Sequence, residues 1–85
     1  MPSRTVSVGS TVGLHVRPAA IISEAAGELD AEVTLAVAGG EPVDAASSLL
    51  IMTLGAAHGA KVEVAGDDQA AVDAIAALVA KDLDA

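Results

Sequence analysis

A histidine and an arginine stand two residues apart in Gly13-Leu14-His15-Val16-Arg17-Pro18-Ala19-Ala20. The proline after them reads as part of the first turn of a helix, where its missing N–H would find no intrahelical partner anyway. A helix start leaves several backbone N–H groups free and carries partial positive charge. A histidine placed there offers a ring nitrogen as nucleophile toward a phosphoryl group. The free N–H groups of Val16 and Arg17, together with the Arg17 guanidinium, can then hold the phosphoryl oxygens. His15 and Arg17 are therefore the candidate residues for the chemistry, and Val16 and Arg17 those for phosphate binding.

Little else in the chain competes for a chemical role. There is no cysteine, which excludes disulfides, thiolate zinc sites and thiol catalysis. His58 lies between Ala57 and Gly59 and reads as a turn residue, and no acidic spacing accompanies it for a two-histidine metal site. No metal and no cofactor are expected. A self-contained hydrolase lacks a plausible base, nucleophile and pocket.

The formal net charge is −8, from 12 acidic and 4 basic residues, and there are no aromatic side chains. Such a surface repels phosphate backbones and has nothing to stack on bases, so nucleic-acid binding is excluded. No basic segment followed by an apolar one opens the sequence, and no apolar run approaches the ~20 residues of a membrane helix. The expectation is a cytoplasmic monomer with no direct membrane insertion. A chain of 85 residues is expected to form a single domain, residues 1–85. Its hydrophobic content of 53% must build the core from Ala, Val, Leu and Ile.

The elements that must position His15 follow from periodicity. Arg4 to Val8 alternates with Val6 and Val8 on one face, a half-buried strand. From Val16 to about Leu29 the period is helical, with Pro18, Ile22, Ala25, Ala26 and Leu29 on one stripe. Ala31 to Val37 alternates again, and Gly39-Gly40 is a hairpin turn. Pro42 to Asp44 reads as a short edge strand. Ser47 or Ser48 caps a short helix to about Leu54, with Gly55 as its stop. That helix is apolar almost all round, so one side packs on the sheet and the other faces solvent as a partner surface. Lys61 to Ala65 is the fourth strand. Asp67 or Asp68 caps a last helix whose stripe is Val72, Ile75, Ala76, Val79 and Leu83. The order β-α-β-β-α-β-α implies two layers, with helices on one face of a four-stranded sheet and the other face open.

With these residues in place, the chain resembles the HPr family, the histidine-containing phosphocarriers of the phosphoenolpyruvate-dependent sugar phosphotransferase system. Gly13-Leu14-His15-Val16-Arg17-Pro18-Ala19 resembles the family's active-site signature. Val43-Asp44-Ala45-Ala46-Ser47, followed by Thr53-Leu54-Gly55, resembles the second signature around its regulatory serine, and Gly59-Ala60 also agrees. The resemblance implies an α+β fold, an HPr-like open-faced β-sandwich with a four-stranded antiparallel sheet and three helices on one face. It implies a carrier rather than an enzyme, a protein substrate of phosphotransferases. His15 would accept the phosphoryl group on Nδ1 from phosphorylated enzyme I and pass it to sugar-specific enzyme II A domains, with Arg17 stabilising it. Ser47 would be the regulatory serine and kinase target. Ala20, Leu49, Leu50, Met52 and Thr53 would form the docking face, and transcriptional regulators are a further class of partner.

The departures from the family pattern are local. Ala46 stands where lysine is frequent, and Ser48 where a larger apolar residue is usual, which changes what a serine kinase would meet. Glu24 and Leu50 stand where basic residues often occur, so the docking face is expected to be more apolar. This pattern resembles the actinobacterial branch. A purely regulatory binding module is the competing class, and the pairing of His15 with Arg17 favours phosphoryl transfer over it.

Overall fold

The computed structural model describes residues 2–83. The elements are β1 (Ser3–Ser7), α1 (Val16–Gly27), β2 (Val33–Val37), β3 (Val43–Asp44), α2 (Ser48–Thr53), β4 (Lys61–Gly66) and α3 (Gln69–Ala80). The strands form one sheet in the order β1-β4-β2-β3, every pairing antiparallel. The α+β class, the order of elements and the edge position of the proline-flanked strand are those expected.

Register aligns the apolar residues in rows. Val6 and Val37 both pair with Val62, and Leu35 pairs with Val64. Val33, Leu35, Val62 and Val64 are buried against the helices, as are Ile22 of α1, Ile51 of α2 and Val72, Ile75, Ala76 and Val79 of α3. Each fully buried Ile, Leu or Val is worth roughly 1.5–3 kcal/mol in transfer free energy, so these residues supply the driving force that an aromatic-free chain needs. On the opposite face Thr5, Lys61 and Glu63 are exposed. Ala36 departs from that pattern: it is buried on the open face, paired with Glu63 and lining a shallow cleft with Thr5 and Lys61. Its side chain is short enough for longer neighbours to cover it.

Several boundaries differ from the periodicity. β1 stops at Ser7, but Val8 continues its pairing: its N–H donates to the Ala60 carbonyl, and its carbonyl accepts from Gly59, both at 2.9 Å. β2 starts at Val33 rather than Ala31, because Val33 already pairs with Gly66, the last residue of β4. α1 ends at Gly27, after which Glu28 and Leu29 donate to the Ala25 and Ala26 carbonyls in a tighter closing turn. α3 ends at Ala80, and Lys81 is extended, so Leu83 lies beyond the helix whose stripe it continues in the sequence. It still packs against the core from there.

Candidate functional site

His15 is the N-cap of α1, with extended backbone (φ −87°, ψ −163°) and a side chain that does not cap its own helix. The imidazole is therefore not engaged by the backbone beside it, and His15 is exposed. The first helical bond runs from the Ala19 N–H to the His15 carbonyl at 2.9 Å. Val16 and Arg17 precede that bond, and their N–H groups have no carbonyl to reach within the helix. Pro18, at the third helical position, has no N–H to leave unsatisfied and is buried instead. The helix thus begins with two free donors on residues adjacent to the histidine, which an anion can take up.

Arg17 is exposed and makes no ion pair among the described residues. By contrast, Arg4 reaches Asp73 at 3.4 Å and Lys61 donates to the Ser7 hydroxyl at 2.7 Å. Among the described residues the guanidinium close to His15 is left uncommitted. Two clefts of about 320 and 310 Å³ lie elsewhere, and neither is lined by His15 or Arg17. His15, exposed at the N-cap of α1, is presented on the surface. Among the described residues no three His, Cys, Asp or Glu side chains gather where they could hold a metal ion. His58 is an exposed turn residue.

The loop before His15 is held from below. Gly13 has φ +75°, and a Cβ there would stand 2.5 Å from the Ala56 carbonyl oxygen. The next N–H, that of Leu14, donates to this same carbonyl at 2.9 Å, and the Leu14 side chain is buried. Glycine is required both for the left-handed backbone and for the close approach.

The second signature brackets α2, running from β3 to the Ser47 cap and resuming at the last helical residue, Thr53. Ser47 is its N-cap, with the hydroxyl accepting from the Leu50 N–H at 3.3 Å. Gly55, at φ +64°, follows its last turn. Ile51 is fully buried while Leu49 and Leu50 are 69% and 40% exposed. Thr53 is exposed, its hydroxyl donating to the Leu50 carbonyl at 2.6 Å, and Ala20 is exposed on α1. Met52 is half-buried: part of it packs against the core and part stays at the surface beside Leu49. Its position one residue after Ile51 turns it partly under the helix. α1 and α2 pack on each other, which puts the two signatures on adjoining elements.

Periodicity missed two other exposed apolar residues. Val12 is 60% exposed and Val16 59% exposed. Val16 falls off the buried stripe of α1, and Val12 sits in a loop where no period applies. Its signal was an isolated valine between polar and glycine neighbours in a turn.

The chain from residue 2 to 81 matches the family model described as PTS HPr component phosphorylation site. It is 44% identical over 87 residues to the phosphocarrier protein HPr of Streptomyces coelicolor, covering 99% of this chain and 94% of that one. It is 32% identical to the phosphocarrier protein NPr of Klebsiella oxytoca, covering 91% and 86%. The structure is similar to that of a phosphocarrier protein HPr from Bacillus anthracis, with a TM-score of 0.84 at 28% identity over 92% and 95% of the two chains. With a histidine exposed at a helix start and both signatures on adjoining elements, the chain belongs to the HPr family of phosphocarrier proteins of the phosphotransferase system.

Proposed function

We propose that His15 is the residue that carries the phosphoryl group, accepting it from phosphorylated enzyme I and donating it to enzyme II A domains during sugar uptake. The observation that carries this reading is the helix start: an exposed, uncapping histidine beside the N–H groups of Val16 and Arg17, which have no intrahelical partner, and a guanidinium with no ion pair among the described residues. A ring nitrogen of His15, Nδ1 by family resemblance, attacks phosphorus. A new N–P bond forms as the bond to the donor's atom breaks, and that atom keeps the electron pair. The added charge of about −2 is met by the two N–H groups, the helix dipole and Arg17. The protein supplies position and electrostatics, and each partner supplies the rest of the transfer site.

Ala20, Leu49, Leu50 and Thr53, joined by Val16 and Val12, form the docking face, with Met52 supporting it from beneath. Ser47 is the regulatory position. A phosphate there would place negative charge on the docking face and weaken partner binding. The protein works as one cytoplasmic domain and as a monomer.

The test is incubation with phosphoenolpyruvate, Mg²⁺ and enzyme I, followed by measurement of acid-labile phosphate. Wild type should gain one phosphate per chain and His15→Ala none. Equal labelling of the two, or none of wild type, would sink the assignment.

A further inference from the structure

The loop between β1 and α1 holds a buried polar side chain that phosphoryl transfer does not use. Ser10 has 0% exposure. Its Oγ accepts from the Leu83 N–H at 3.1 Å and donates to the Lys81 carbonyl at 3.4 Å. Its own backbone carbonyl accepts from the Gly13 N–H at 3.0 Å. One residue earlier, the Gly9 N–H donates to the Val79 carbonyl at 3.0 Å. A Cβ at Gly9 would run into the Ala80 carbonyl oxygen. The end of α3 and the segment after it are thus fitted under the loop that leads to His15.

A buried hydroxyl and two backbone groups that lose their partners would each carry a desolvation cost. The loop cannot shift away from α3 without incurring those costs together. From Ser10 the constraint passes through its turn to Gly13, then to Leu14 on Ala56, and so to the residue that caps α1. We propose that Ser10 is a positioning residue for the phosphoryl site, its hydroxyl pinning the His15 loop to the C-terminal end of α3. The kinetic part of its test rests on His15 being the phosphoryl acceptor; the structural part does not.

Ser10→Ala removes the hydroxyl and leaves the space. Asp68→Ala serves as the control, since Asp68 caps α3 through the Ala70 N–H at 3.2 Å, far along the helix from this loop. In the free protein, the amide resonances of His15, Val16 and Arg17 should move in Ser10→Ala and stay in place in Asp68→Ala. With enzyme I as donor, Ser10→Ala should lower kcat by about tenfold with KM within about twofold, as misplacement of a reacting group does, and Asp68→Ala should transfer at the wild-type rate. Unmoved amides, or an equal fall of kcat in both variants, would overturn the proposal. A wild type that takes no phosphate would instead sink the carrier assignment and leave the amide shifts to decide this one. If Ser10→Ala does not fold, wild-type protein suffices: phosphorylating His15 should change hydrogen exchange at the Leu83 amide at least about twofold, because coupling between two sites is reciprocal. An unchanged Leu83 amide would overturn the pin.

Discussion

The Leu14 N–H donates to the Ala56 carbonyl at 2.9 Å, and this bond joins the histidine loop to the segment between α2 and β4. It lies one residue before His15 and one after Gly55, so it couples the start of one signature helix to the end of the other.

Gly13→Ala should break that junction. The new Cβ would meet the Ala56 oxygen while the backbone is held at φ +75°. A loss of about 2 kcal/mol is expected in urea unfolding, with slower phosphoryl transfer. Gly39→Ala is the comparison. Gly39 shares the positive φ but has open space around it, so that variant should lose less stability and keep its transfer rate.

Arg17→Ala should separate chemistry from folding. The side chain is exposed and unpaired among the described residues, so the unfolding midpoint should stay put. The rate of phosphoryl acceptance should drop about tenfold or more, the scale of a lost charge-assisted bond to the phosphoryl oxygens. Arg17→Lys should recover only part of it, because a point charge cannot grip two oxygens as a planar guanidinium does.

Leu49 and Ile51 lie on opposite sides of α2, and their substitutions should fail in opposite ways. Leu49→Asp, at a position 69% exposed, should change stability by less than about 0.5 kcal/mol yet slow transfer from enzyme I. Ile51→Ala, at a position with no exposure, should cost about 3 kcal/mol in stability. Equilibrium unfolding together with transfer kinetics on both variants checks the pair, and an unaffected rate in Leu49→Asp would remove Leu49 from the docking face.

Ser47→Ala should cost about 1 kcal/mol through the lost cap, because its hydroxyl satisfies the Leu50 N–H. Phosphate or aspartate at this position should lower the affinity for enzyme I. Titration calorimetry on wild type and Ser47→Asp measures it, and equal affinities would leave Ser47 as a cap alone.

Much of this was legible in the residue order because period and punctuation are local. The helical stripe of α1, the alternation of β4, the serine cap and the glycine stop of α2 each follow from neighbours within a turn or two. Strand ends were less legible. Ala31 and Glu32 have the right alternation, but whether they join the sheet depends on where β4 runs out, at Gly66. Leu83 shows the same thing at the other end. It continues the α3 period on paper, while the chain leaves the helix at Lys81.

By itself, the amino-acid order determined that His15 stands at a helix start beside two free N–H groups and an arginine, since capping and proline placement are short-range effects. It also determined that α2 must hide one side and show another, since its residues are apolar all round. Only the tertiary structure decided which side. Packing against α1 and the sheet buries Ile51, partly buries Met52 and leaves Leu49 and Leu50 outside. It likewise decided that Ser10, an ordinary loop serine in the sequence, is buried, because its partners at Lys81 and Leu83 lie more than seventy residues away. Burial and long-range hydrogen bonds depend on what the fold brings near, and no local period encodes that.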